Sequence, residues 1–237
     1  MRGAEQGESH SREVTSGRCP ERTKEAIVLL SGGIDSATAL YLLRKKFRIN
    51  ALTFEYHGIA GRELDCARAL AAGARVHEHR FVRLPDLREA SDIPGAAFPG
   101  LPPTYIPLRN AIFYSFGASY AEEIGASAIA GGHNSDDAGV FEDVGPRFFS
   151  HLQKALRSGS AGLRKSSLQI LRPLKRMNKV SVVRLASSLG VPLELTWSCH
   201  RDGRTHCWRC PGCASRSHAF SEAGVEDPLS PASRKIT

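Results

Sequence analysis

A chain of 237 residues holds one good-sized core, or a core with a small appendage. Its hydrophobic fraction of 41% is ordinary, and no window approaches the roughly 20 unbroken apolar residues of a membrane span, so a spanning helix is excluded and a soluble protein expected. The excess of Lys and Arg over Asp and Glu gives +8, which favours acidic partners such as nucleotides or nucleic acid without selecting either.

Residues 1–24, "MRGAEQGESHSREVTSGRCPERTK", are polar and charged, with no apolar run to serve as a signal-peptide core, and read as a flexible tail. Six cysteines without such a signal point to reduced thiols in a cytoplasmic protein. Next, "AIVLL" is a short continuous apolar run suited to a strand buried on both faces, and "SATALYLLRKKF" carries apolar residues at helical spacing. "INALTFEYH" reads as a second strand, "RELDCARALAAGA" as a helix ending near a glycine, and "VHEHRFVRL" as a third strand. Cys66 lies alone in that second helix, where a small buried apolar residue is expected. From Pro85 to Pro107 the chain is rich in proline and glycine, an irregular loop long enough to be functional or disordered.

Beyond it, "RNAIFYSFGASYAEEIG" is a helix, "ASAIAGG" a strand into a glycine turn, and "VGPRFFSHLQKALRSG" a helix. "LQILRPL" is a strand, and "NKVSVVRLASSLG" a helix with asparagine at its N-cap. This alternation predicts an α/β fold with a Rossmann-like parallel sheet and helices on both faces, residues 25–195, followed by a small C-terminal metal-binding helical segment, 196–228, and a tail, 229–237.

The stretch "IVLLSGGIDSATAL" raises a question of chemistry. A turn of Ser31, Gly32, Gly33 and Ser36 between a buried strand and a helix puts backbone N–H groups and hydroxyls at a helix N-terminus, where an anion is favoured. It lacks the Gly-Lys-Ser/Thr end of a Walker A loop and the dinucleotide Gly-x-Gly-x-x-Gly pattern. The carboxylate of Asp35 beside bound phosphate calls for a cation, and Mg²⁺ bridges carboxylates to phosphate oxygens. Lys175 and Lys179 flank the "RPLKRMNK" turn and are candidates to neutralise a leaving pyrophosphate; surface lysines at a helix start are the plain alternative.

Near the C-terminus, "CHRDGRTHCWRCPGC" places Cys199, Cys207, Cys210 and Cys213 with seven, two and two residues between them. Four thiolates at that spacing make a closed tetrahedral Zn²⁺ site, with His200 and His206 as non-ligands. Redox chemistry from a Cys-x-x-Cys pair and an iron–sulfur cluster are the alternatives.

The six residues "SGGIDS" closely resemble the PP-loop of the N-type ATP pyrophosphatases, which cradles the pyrophosphate released on adenylation. Together with "TWSCHRDGRTHCWRCPGCASRSHAFSEAGVEDP", "TYIPLRN" and "FEYHGIAGRELDCA", it resembles the 7-cyano-7-deazaguanine synthase family over roughly Glu25 to Pro228. That resemblance implies an ATP-dependent ligase that adenylates 7-carboxy-7-deazaguanine, admits ammonia to form an amide, and activates the amide with a second ATP to leave a nitrile. It implies nucleotide contacts from Leu30, Ser31, Gly32, Gly33, Ile34, Asp35, Ser36, Ala37 and Thr38, with Asp35, Ser36, Lys175 and Lys179 in catalysis. It also implies a substrate set of Phe54, Tyr56, Arg109, Asn110, Asp137 and Asp143, with Asp143 reading the guanine-like edge.

The segment "GGHNSDDAGVFED" departs from the family pattern, and its Gly-His-x-x-Asp-Asp is reminiscent of PP-loop enzymes that thiolate tRNA or make lysidine. A tRNA-modifying enzyme is therefore one alternative, and a relative that stops at the amide or uses another amine is a second. Neither a nucleic-acid nor a membrane partner is expected. Pairing of two copies through Phe148 or Phe149 is.

Overall fold

The computed structural model describes residues 24–93, 95, 98–102, 104–164, 168–231 and 233. Cys19 and the tail expected over 1–24, apart from Lys24, lie outside the described residues. Strands and helices alternate along the chain: β1 (Glu25–Leu29), α1 (Ile34–Leu43), β2 (Arg48–Tyr56), α2 (Gly61–Ala74), β3 (Glu78–Leu84), α3 (Arg109–Ile124), β4 (Ala128–Ala130), α4 (Pro146–Gly159), β5 (Gln169–Leu171), α5 (Lys179–Ser188) and α6 (Pro211–Ala223). The sheet runs β3-β2-β1-β4-β5 and every pairing is parallel. The order reverses at β1, whose neighbours are β2 and β4, and a parallel sheet holds ligands in the crevice outside that switch point.

The period-two alternation of side chains divides the core. Ala26 and Val28 of β1 face a cluster built with α1, α2, α5 and α6, whereas Ile27 faces one built with α3 and α4. Helices therefore cover both faces, as the continuous apolar run of β1 requires. Asn178 caps α5 as expected, its Oδ1 accepting from the Ser181 N–H at 2.9 Å.

Helix α2 ends at Ala74 beside Gly73, near a glycine as expected, and its C-cap is Arg75 in the left-handed region at φ +54. Other expectations change. Phe149 is no interface residue: it is 3% exposed and packs edge-on against Tyr114, because α4 lays that face on the sheet. The long loop after β3 contains a short 3-10 turn, Ala90–Asp92, pinned by a hydrogen bond from the Ala90 N–H to the Tyr105 carbonyl at 2.6 Å.

Helix α6 joins the main core through Ala219 and Phe220. Its Arg216 is fully buried, forked onto Asp227 at 2.7 and 2.8 Å, and donates to Thr196 Oγ1 at 2.8 Å and the Leu193 carbonyl at 3.2 Å. The first residues of the expected C-terminal tail fold around the same acid, with the Leu229 N–H donating to Asp227 Oδ1 at 3.0 Å. Among the described residues no helix is long and apolar enough to cross a membrane.

Candidate active site and cysteine centre

At the end of β1 the chain turns through residues 30–33 into α1. Gly32 sits at φ +89, and a Cβ there would meet the Glu63 carbonyl oxygen at 2.3 Å, so only glycine closes this turn. Ser36 Oγ ties it from within, donating to the Gly33 carbonyl at 3.0 Å and accepting from the Ser31 N–H at 3.2 Å. Ser31 Oγ accepts from the Gly33 N–H at 3.3 Å. No side chain caps α1, so the N–H groups of its first turn are left for a ligand with the positive end of the helix dipole behind them. An anion is what such a turn favours.

The glycine turn after β4 meets this loop backbone to backbone, since a Cβ on Gly132 would lie 2.5 Å from Asp35 C and Ser36 N. Buried Asn134 then knits the two together. Its Nδ2 donates to Asp35 Oδ1 at 3.4 Å, and its Oδ1 accepts from the N–H groups of Asp136 at 2.8 Å and Asp137 at 3.1 Å. Asp136 Oδ2 accepts from the Lys179 N–H at 2.9 Å, and the Lys179 ammonium is ion-paired with Asp35 Oδ2. Burial, then the charge of Asp35, hold the Asp137 carboxyl above the usual carboxylate range. An acid raised by a neighbouring carboxylate is relieved by a divalent cation, so Asp137 and the adjacent Asp35 suit Mg²⁺.

Beyond the carboxyl ends of the strands lies a cavity of ≈ 280 Å³. A second, of ≈ 500 Å³, continues toward the cysteine segment and shares Asp35, Tyr56, Ile59, Glu63 and Arg109 with the first. In the wall Phe54 stacks on Phe113, ring centroids 3.9 Å apart. Burial pushes the Glu63 carboxyl up to about 7 against the opposing pull of Arg109. Burial and then the Glu63 charge push Tyr56 up to about 12, against the opposing pull of the Arg109 guanidinium. His133 is driven down to about 4 by burial and then by Arg109 and Arg172, so its imidazole is neutral at pH 7. Its Nε2 and the Tyr114 hydroxyl have no hydrogen-bond partner among the described residues, and both crowd the space above Gly131.

The four cysteines of the C-terminal segment come together, with all Sγ atoms within 4.8 Å of one another. Cys207 and Cys213 are 3.9 Å apart, as are Cys199 and Cys210. A tetrahedron of Zn–S bonds of about 2.3 Å has edges of about 3.8 Å, so the cluster fits a structural zinc. Trp208 takes a left-handed conformation, φ +56, and the following Cys210 N–H donates to Cys207 Sγ at 3.4 Å. Cys199 Sγ accepts from the N–H groups of Arg201 at 3.4 Å and Cys207 at 3.5 Å. His206 stays out of the cluster, its Nε2 accepting from the Ser198 N–H at 3.1 Å.

Residues 25–224 match the family described as queuosine biosynthesis protein QueC. The chain belongs to the QueC family. It is 38% identical over 220 residues to a protein of Thermoplasma acidophilum named 7-cyano-7-deazaguanine synthase, covering 87% of this chain and 91% of that one. Proteins of the same name from Desulfitobacterium hafniense and Thermosynechococcus vestitus are 37% and 36% identical, covering 87% of this chain and 92% and 95% of theirs. In fold it is similar to the NMN synthetase of Francisella tularensis, with a TM-score of 0.50, 17% identity, and coverage of 90% of this chain and 81% of that one.

Within this QueC chain the expected site residues separate into groups. Leu30, Ser31, Asp35, Ser36, Phe54, Tyr56, Arg109, Asn110 and Asp137 line the first cavity. Gly32 and Gly33 shape the loop, whereas the side chains of Ile34, Ala37 and Thr38 turn into the core. Lys179 reaches Asp35, but Lys175 is exposed and lines neither cavity. Asp143 lies outside both linings, and its Oδ2 accepts from the Asn110 N–H at 3.2 Å at the start of α3. Sequence reasoning passed over Glu63, His133 and Asn134. The last two stood in the segment noted as a departure from the family, and Glu63 in a quoted stretch read only as helix.

Proposed function

We propose that this chain converts 7-carboxy-7-deazaguanine and ammonia to 7-cyano-7-deazaguanine with two ATP, releasing AMP and pyrophosphate each time. Membership of its family makes it an enzyme of the ATP-dependent ligase class. The observation that carries the specific reading is the N-terminus of α1, without a side-chain cap, at a cavity that Arg109 also lines. A carboxylate is a poor electrophile, and a phosphate ester on its oxygen supplies the leaving group it lacks. The guanidinium of Arg109 suits the substrate carboxylate as a two-pronged donor. Attack of that carboxylate on the α-phosphorus leaves pyrophosphate on the N–H groups of α1, with Ser31, Ser36 and the Lys179 ammonium around it.

Ammonia then replaces AMP at the acyl carbon to give the amide. The amide oxygen is activated on a second ATP, and loss of AMP closes the nitrile. Asp35 and Asp137 would hold Mg²⁺, which when bound offsets phosphate charge beside the two acids. The four cysteines would hold Zn²⁺, whose part is to fasten the segment rather than to react. Phe54, Tyr56, Asn110 and Asp137 complete the pocket for the deazapurine and the nucleotide. The reading includes a cytoplasmic enzyme that pairs with a second copy, for which the exposed Leu108 and Phe116 of the α3 side offer apolar surface. The tRNA-thiolating alternative wants a free reactive thiol. Among the described residues four cysteines converge on one point and the fifth, Cys66, is buried.

Incubation with ATP, Mg²⁺, ammonium and 7-carboxy-7-deazaguanine, followed by mass spectrometry, tests the proposal. Nitrile and AMP in a ratio of one to two are expected. Amide with AMP and no nitrile would move the chain to an amide-forming role, and AMP formed only with unmodified tRNA would replace the reading altogether.

A further inference from the structure

Glu63 has no task in the scheme above. It stands in the first turn of α2, and its carbonyl is the atom that a Cβ on Gly32 would strike at 2.3 Å, so the residue packs directly against the phosphate-binding turn. Its side chain lies in the wall common to both cavities. The charged and titratable groups around that wall are Tyr56 of β2, Arg109 of α3, Asp35 of α1, Glu89 of the long loop and His200 of the cysteine segment, with Cys66 one turn further along α2. Asp137 and His133 face the first cavity from the β4 turn. Asp35 and Glu63 are the two carboxylates that line both cavities; Asp35 is paired with Lys179, whereas no hydrogen bond or ion pair engages the Glu63 carboxylate among the described residues. An unpaired carboxylate held at a reaction chamber has the geometry of a proton acceptor.

Resting on the synthase reading, we propose that Glu63 is the general base for both nitrogen steps. In the first, ammonia forms a C–N bond to the acyl carbon, the C–O bond to AMP breaks, and Glu63 takes the proton that the new ammonium-like nitrogen must lose. In the second, the amide oxygen has displaced pyrophosphate from ATP, and both N–H protons must go: the first passes from the O-adenylated nitrogen to solvent, leaving a neutral imidate. Glu63 takes the one lost as the nitrogen electron pair closes the third C–N bond and the C–O bond to AMP breaks. Its carboxyl, raised by burial to about 7, is matched to accept a proton and return it to solvent near neutral pH.

The test is the pH profile of kcat/KM at fixed free ammonia, with amide and nitrile measured separately, for the wild type, Glu63→Gln and Glu63→Asp. The wild type is expected to lose rate below about pH 7. Glu63→Gln, equal in shape, should lose that acid limb, lower kcat about 10²-fold and accumulate amide over nitrile, with the KM for ATP little changed. Glu63→Asp, which keeps the carboxylate, should keep a limb at reduced rate. The proposal is overturned if Glu63→Gln retains the limb and the product ratio, if both variants lose the limb alike, or if only the KM for the deazapurine rises. A wild type that makes neither product would instead remove the functional reading on which the proposal stands.

Discussion

Lys179 and Asp35 are 144 positions apart, yet one carries its charge to the other at the mouth of the phosphate-binding turn. The lysine is aimed from both ends: its backbone N–H is held by Asp136, and its ammonium by Asp35, with both side chains of the ion pair about a fifth exposed at 22% and 23%. Lys175 comes from the same turn and looks equivalent in the sequence, but it points to solvent. Removing a preorganised charge from developing phosphate charge typically lowers turnover by about 10²–10³-fold. Lys179→Met is therefore expected to lower kcat by about 10²-fold, whereas Lys175→Met should cost far less. Steady-state rates of pyrophosphate release decide it, and equal losses in the two variants would mean that the loop does not select between the lysines.

At the scale of elements, α6 is positioned by one charge pair as well as by its apolar face. Arg216 has no exposure, its fork is filled by Asp227, and its remaining donors reach Thr196 and Leu193, so the helix, the segment before the cysteines and the chain after Asp227 meet at one guanidinium. Removing one member of such a buried pair strands the other and costs about 3–5 kcal/mol. Urea unfolding of Arg216→Met should show a loss of that order, and Arg216→Met with Asp227→Leu a smaller one. If the double variant is the less stable, the uncompensated burial of a stranded Asp227 is not the cause. This pair was invisible in the sequence, where Arg216 and Asp227 stand 11 residues apart with no spacing that links them. Strand and helix positions were legible because "AIVLL" and "NKVSVVRLASSLG" carry their periods locally, and the loop and cysteines because their spacing is itself the chemistry. What failed to show is tertiary. Nothing near Asp143 announces Asn110 as its partner 33 residues away, and nothing near Glu63 announces that the β1 turn and Arg109 enclose it.

Across the whole molecule, the cysteine segment and Trp197 before it touch two of the elements that build the reaction cavity. The Trp197 N–H donates to the Gly32 carbonyl at 2.9 Å, fixing the peptide at the sharpest point of the phosphate-binding turn. Asp202, within the loop closed by Cys199 and Cys207, accepts from the Arg62 N–H at 3.2 Å, supplying an N-terminal cap that α2 lacks on its own side, one residue before Glu63. A closed four-sulfur site folds its segment when zinc binds, because without the ion the sulfurs take up protons and lose their common partner, and the segment has little apolar area of its own. Zinc removal should therefore act at a distance. With one zinc bound per chain, a strong chelator under reducing conditions is expected to lower the melting temperature and to raise the KM for ATP several-fold, with readdition of zinc restoring both. Asp202→Ala in the zinc-loaded protein separates the two contacts: it removes only the cap on α2, so it should disturb nitrogen chemistry at Glu63 while leaving ATP binding close to wild type. If chelation lowers the melting temperature but leaves the KM for ATP unchanged, the hydrogen bond from Trp197 to Gly32 does not transmit the state of the cysteine centre to the loop.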